Sequence, residues 1–199
     1  MTNAALEAFG KRRTQYALGK RLPIGESSVA QLIQEAVRHA PSSFNSQSSR
    51  VAILFGAQSD ALWRLAKDAL RKVVAPDAFA ATDKKIDGFA AGAGTVLFFE
   101  DQEVVKGLQE RFALYAEKFP VWSEQSSGMA QYAVWTALAS CGVGASLQHY
   151  NPLIDEAVAA TWKLPSSWLL RAQMPFGSNE QALGEKAFMS DDLRFRVFF

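Results

Sequence analysis

Between Glu124 and Cys141 the chain runs with few charges. Met129, Tyr132, Ala133, Trp135, Thr136, Ala137, Leu138 and Ala139 put apolar groups around nearly the whole circumference of a helix there. Such a helix has no face to offer to water and must be buried on all sides, inside a core or between subunits. No other segment narrows the possible folds as much. The rest of the chain has the material to surround it: 49% of the 199 residues are hydrophobic, and fourteen Phe and five Trp make the core aromatic-rich. The length fits one compact domain over residues 1–199.

The remaining elements follow from periodicity. Residues 3–9 read as a short helix stopped by Gly10. Residues 26–40 form an amphipathic helix, with Val29, Leu32, Ile33, Ala36 and Val37 on one face and Gln31, Gln34, Glu35 and Arg38 opposite. Pro41 ends it. Apolar runs at 50–56, 95–100 and 168–177 read as strands, and residues 59–74, 101–118 and 154–161 as helices. Residues 75–94, rich in Ala and Gly, give no clear pattern. The tail Leu193-Arg194-Phe195-Arg196-Val197-Phe198-Phe199 alternates apolar and basic, as a strand with one wet face does. Strands separated by long helices make an α+β arrangement.

Charge and cysteine content set aside several function classes. Lys and Arg number 21 against 20 Asp and Glu, a net charge of +1. A general nucleic-acid binder would show a basic excess or stripe. Cys141 is the only cysteine, so an intrachain disulfide and any zinc site built on two thiolates are excluded, and no metal site is expected. There is no apolar run of about twenty residues, hence no expected membrane span. Residues 1–5 lack a basic-then-apolar leader pattern. A soluble, cytoplasmic protein is the expectation.

The chemistry-bearing segments are uncharged or basic. Pro41-Ser42-Ser43-Phe44-Asn45-Ser46-Gln47 offers three hydroxyls, two carboxamides and a ring, a surface suited to hydrogen-bonding something flat and polar. It also reads as a polar helix-to-strand loop. Arg12-Arg13-Thr14 can hold a phosphate through bidentate guanidinium bonds; a solvated basic face after a helix C-terminus is the alternative. Arg194 and Arg196, two residues apart, share one face of a strand and either meet an anion or protect an edge. Gly88 to Gly94 is glycine-rich without the order of a dinucleotide turn or the Lys of a P-loop. No Gly-x-Ser-x-Gly elbow is present. His39, His149 and Cys141 read as structural.

Taken in order, Arg12-Arg13-Thr14, Ala40 to Gln47, Gly142-Val143-Gly144-Ala145-Ser146-Leu147-Gln148 and the C-terminal basic pair resemble the flavin-dependent nitroreductase family. More closely, the chain resembles the short branch typified by the yeast and bacterial fatty-acid-repression-mutant proteins. The resemblance implies a nitroreductase-like α+β fold, with a central, mostly antiparallel sheet flanked by long helices, in a domain-exchanged homodimer with FMN at the interface. It assigns Arg12, Arg13 and Thr14 to the FMN phosphate, closed by Arg194 and Arg196. It assigns Ser42, Ser43 and Asn45, with Gln47 adjacent, to the flavin of the partner subunit, and Ser146, Leu147 and Gln148 to the isoalloxazine.

The implied function is an FMN-dependent NAD(P)H oxidoreductase. NADH or NADPH passes hydride to flavin N5, and a nitroaromatic or quinone then takes two electrons in the same pocket, a ping-pong sequence. The flavin carries the chemistry, so no catalytic side chain is required. The aromatic stretch at Phe119, Val121 and Trp122 is a candidate lid. Two positions depart from the family pattern. Larger members place a Lys where Tyr16 or Ala17 stands here, and a second basic residue mid-chain beside the flavin pyrimidine that has no evident counterpart in the sequence. Two rival readings are a non-catalytic flavin-binding sensor linked to lipid or redox response, and an apolar-ligand binder without flavin.

Overall fold

The computed structural model describes residues 3–199. Met1 and Thr2, part of the N-terminus read above as leader-free, lie outside the described residues. Five strands form one antiparallel sheet: β1 (Leu18–Gly19), β2 (Ser49–Phe55), β3 (Gly94–Asp101), β4 (Gly144–Ala145) and β5 (Trp168–Asn179). The order is β1-β5-β3-β2, with β4 also on β5. Helices α1 (Ala4–Lys11), α2 (Glu26–His39), α3 (Gly56–Leu70), α4 (Phe79–Ala90), α5 (Gln102–Arg111), α6 (Phe119–Ser140), α7 (Asp155–Trp162) and the single turn α8 (Asp191–Arg194) complete the chain. No helix among the described residues is long and apolar enough to cross a membrane.

Strand β3 is buried along its whole length, and its alternation divides the core in two. Val96 and Phe98 point to one face, where Val29 and Ile33 of α2 and Val134 and Leu138 of α6 cover them. Leu97 and Phe99 point to the other, against Leu62 and Trp63 of α3, Phe89 of α4 and Val158 of α7. On β5, Leu170 and Ala172 have the same parity yet face opposite cores. The register shift opposite Phe98 and Phe99 inserts Arg171 as an extra residue. Arg171 thereby reaches α6, and its Nε donates to Glu124 at 3.0 Å.

Local signals set most element ends. The Asn3 side chain accepts from Ala5 N at 3.0 Å and caps α1, but Gly10 does not stop the helix as expected, since glycine also adopts helical backbone, and α1 continues to Lys11 and closes at Arg12. Ala40, held extended by the following Pro41, ends α2. Pro120 sits in the first turn of α6, where its missing N–H costs nothing.

Three further expectations change. Residues 75–94 contain a helix, α4, which Ile86 and Phe89 anchor in the core despite the Ala- and Gly-rich sequence. The single helix expected over 101–118 is split into α5 and a 3-10 turn, Ala113–Lys118, at Phe112 (φ −125°, ψ 63°). Phe112 leaves the helical path to meet Phe44, with ring centroids 4.9 Å apart. The tail is not a strand within its own chain: it is one helical turn followed by an unpaired segment, with Phe195, Val197, Phe198 and Phe199 exposed. A strand needs an edge to pair with, and this tail meets none.

Helix α6 has the apolar content read from sequence, but one chain buries only part of it. Ala130, Val134 and Leu138 are inside, while Met129 and Tyr132 are 39% and 40% exposed. Leu138 is completely buried between α2 and the sheet. Leu138→Ala is expected to lower stability by about 2–5 kcal/mol in urea denaturation, the range for emptying such a site.

Candidate functional site

The segment after α1 is extended and lies beside the glycine turn that follows α6. Thr14 bridges to Ala145 in parallel, and Gln15 N donates to Ala145 O at 2.9 Å. Gly142 supplies the left-handed turn (φ 77°) that most residues resist. Gly144 has no side chain to block Asn179, whose Nδ2 donates to Gly142 O at 2.9 Å. Two segments far apart in sequence, 12–14 and 142–148, thus form one wall.

Arg12 lies over α6. Its guanidinium carbon is 4.5 Å from the Trp135 ring centroid and 5.9 Å from that of Tyr132, a cation–π seat. Its Nε is buried without a hydrogen-bond partner, as are Trp135 Nε1 and the Thr136 hydroxyl beside it. Native proteins rarely leave such atoms unpaired. Arg13 Nη2 donates to Gly184 O at 3.0 Å and lines a hollow of about 270 Å³ with Gln15, Gly144 and Asn179.

Downstream on this wall, strand alternation separates the predicted residues. Ser146 and Gln148 are buried and joined, Gln148 Nε2 donating to Ser146 Oγ at 3.1 Å, while Leu147 packs against the α6-side core. The Ser146 O–H donor and the Gln148 Oε1 acceptor have no hydrogen bond among the described residues.

The loop Pro41–Gln47 lies at the other end of α2. Ser43 N donates to Ser126 Oγ at 3.3 Å, and Gln47 N to Ser42 Oγ at 2.9 Å. Phe44, Asn45 and Gln47 have φ values of 56°, 49° and 49°. Left-handed backbone is tolerable for Asn but costly for Phe and Gln, and strain of this kind gathers at working sites. Asn45 and Gln47 are exposed, and neither carboxamide has an intrachain hydrogen bond among the described residues. Phe44 sits within an aromatic group: Trp122 is stacked on it with centroids 6.0 Å apart, and Phe119 and Tyr115 lie at 5.3 and 6.2 Å.

One chain does not bring the loop to Arg12. The loop meets α6 at Ser126 and Arg12 meets it at Trp135, a step of about 14 Å at the rise of an α-helix. A mostly apolar groove of about 490 Å³, lined by Phe9, Pro41, Met129, Tyr132 and Thr136, runs along the intervening face. Nor does the chain bring Arg194 or Arg196 to Arg12. Arg194 lies over Phe195, and Arg196 donates to the carbonyls of Asp192 and Phe195.

Several residues of the site carry no signal in the sequence. Trp135 sits in a helix that reads only as apolar, and its role appears only when Arg12 lands on it. Lys84 and Lys85 of α4 line a hollow with Tyr16, two residues beyond Thr14. They fall in the stretch whose pattern was not legible.

With this geometry in place, comparison with known proteins is decisive. Residues 10–178 match the model of the nitroreductase family. The chain belongs to the nitroreductase family. It is 32% identical over 193 residues to the Saccharomyces cerevisiae nitroreductase FRM2, covering 96% of this chain and 95% of that one. The nitroreductase CinD of Lactococcus lactis, solved with chloramphenicol, superposes with a TM-score of 0.90 at 53% identity, over 98% of this chain and 99% of CinD. A Desulfitobacterium hafniense nitroreductase with bound FMN shares the fold, with a TM-score of 0.72 at 14% identity and complete coverage of both chains. The expected α+β nitroreductase fold and the fatty-acid-repression-mutant branch are both found.

Gln47 combines a left-handed backbone with an exposed, unpartnered side chain. Gln47→Gly is expected to raise stability by about 1 kcal/mol, the relieved strain less the added chain entropy. An unchanged or lower urea midpoint would show that the loop is not strained there.

Proposed function

We propose that this nitroreductase-family protein is an FMN-dependent NAD(P)H oxidoreductase, acting in the cytoplasm as a homodimer of one domain over residues 1–199. The observation that carries the reading is the half-buried Arg12 guanidinium, seated 4.5 Å from the Trp135 ring centroid with no intrachain hydrogen bond or ion pair among the described residues. A phosphate dianion satisfies an arginine held in this way, and Arg13 and Thr14 are its neighbours. The FMN bound by the D. hafniense relative and the chloramphenicol and 4-nitrophenol bound by CinD support the same chemistry.

Each element then has a task. Arg12, Arg13 and Thr14 hold the phosphate. The wall 146–148 lies along the ring system, to which Ser146, Leu147 and Gln148 contribute. The loop of a second copy supplies Ser42, Ser43, Asn45 and Gln47, because its own copy holds it about 14 Å along α6 from Arg12. Arg194 and Arg196 reach a phosphate only through such an exchange, and their exposed apolar tail has a partner in the free edge of β2. The surplus apolar surface of α6 around Met129 and Tyr132 becomes the dimer interface, as obligate interfaces resemble a cut core. Lys84 and Lys85, beside Tyr16, supply positive charge where the early Lys of larger members is missing. When bound, FMN supplies two-electron transfer from NADH or NADPH to a nitroaromatic or quinone acceptor. The Phe44, Phe112, Tyr115, Phe119 and Trp122 rings exclude water, and the exposed Phe44 and Tyr115 present aromatic faces to a flat acceptor.

The test is a visible spectrum of the purified protein, followed by NADH or NADPH without air. A yellow protein that bleaches is expected. A yellow protein that does not bleach favours a non-catalytic flavin sensor, and one that stays colourless after incubation with FMN overturns the reading. Arg12→Ala is expected to weaken FMN binding by about 1.5–3 kcal/mol, as for a lost charge-assisted hydrogen bond. Fluorescence titration of the apoprotein measures it, and unchanged affinity would remove the phosphate assignment.

A further inference from the structure

Among the described residues, Glu100 is a fully buried carboxylate that nothing proposed so far employs. It lies near the end of β3, on the α6 side, because residues 96, 98 and 100 share one face of the strand. Its Oε2 accepts from Ser48 Oγ at 2.6 Å and Ser123 Oγ at 2.7 Å, and its Oε1 accepts from Ser49 Oγ. No ion pair reaches it among the described residues. Three hydroxyls converging on one buried carboxylate are a specific construction, since each donor must be aimed and every unpaired oxygen would be costly.

Its partners come from two elements. Ser48 and Ser49 directly follow the strained loop, and Ser123 belongs to α6. Ser123 lies between Trp122, stacked on Phe44, and the turn that carries Ser126, whose Oγ accepts the Ser43 N–H. Asp101, the next residue, holds Arg50 Nη2 at 3.0 Å, and Arg50 Nη1 donates to the Gln47 carbonyl. Asp101 N donates to Ser48 O at 3.0 Å. The loop is thus tied to α6 at its start and to the end of β3 at its finish. Left-handed Phe44, Asn45 and Gln47 persist only if their surroundings over-determine them.

We infer that Glu100 is a positioning residue: through Ser48, Ser49 and Ser123 it locks the end of the loop so that the Asn45 and Gln47 carboxamides are held outward, ready for the flavin. The inference rests on the reading that this loop meets FMN. Gln in place of Glu100 keeps the shape but leaves one acceptor oxygen where there were two, so the three hydroxyls cannot all donate as before.

A double-mutant cycle on FMN affinity, read by fluorescence titration of apoprotein, separates positioning from general stability. Glu100→Gln is expected to weaken FMN binding about 10-fold in the otherwise natural chain, the order of one to two hydrogen bonds. In the background Asn45→Ala with Gln47→Ala, where no carboxamide remains to be positioned, it is expected to have almost no effect. Ser123→Ala, with Glu100 intact, is expected to show the same non-additivity at smaller size and serves if Glu100→Gln does not fold. The same fold-loss in both backgrounds, or none in either, would overturn the positioning role. If the double alanine background itself binds FMN as tightly as the natural chain, the loop does not meet the flavin, and the functional reading of the loop fails before that of Glu100.

Discussion

Helix α6 presents Val134 and Leu138 to the sheet and leaves Met129 and Tyr132 outside. A helix apolar on nearly all sides cannot rest in water on its uncovered half. That surplus governs the rest of the structure. It accounts for the groove between Phe9, Pro41 and Thr136, and it gives Arg12 an aromatic seat on Trp135. It also explains why the site residues divide between the two ends of one helix: α6 is both the back of the core and the floor of whatever docks on the open side.

The other constraint is the backbone between α2 and β2. Three non-glycine residues with positive φ lie within four positions, and fixed bonds surround them. Ser126 and Trp122 hold the start and middle of the loop from α6, and Glu100 and Asp101 hold its finish from β3. The strain stays because these anchors leave the chain no alternative path. The aromatic group around Phe44 belongs to the same arrangement, since Phe112 leaves α5 and Phe119 begins α6 where they can meet it.

Much of this was legible in the residues. Strands 50–56, 95–100 and 168–177 fell close to β2, β3 and β5, because short, mostly apolar runs too brief for a helix have few other solutions. Pro41 marked the end of α2. Helix α4 was not legible, since its Ala and Gly residues carry no period and only Ile86 and Phe89 fasten it. The tail alternated as a strand does, yet it finds no edge within its own chain and stays unpaired. Strand alternation puts Ser146 and Gln148 on one side and Leu147 on the other, and Gln148 Nε2 donates to Ser146 Oγ, a contact that no local pattern shows.

By itself the sequence determined which stretches are apolar, that Pro41 ends α2, and which segments carry hydroxyls, carboxamides and arginines. These follow from local sterics and periodicity, which act over a few residues. The tertiary structure alone decided that Arg12 rests on Trp135 and that Glu100 gathers Ser48, Ser49 and Ser123. It alone separates the loop from Arg12 within one chain. Such contacts join residues distant in sequence through sheet register and helix packing, and no local pattern encodes a distance across a fold.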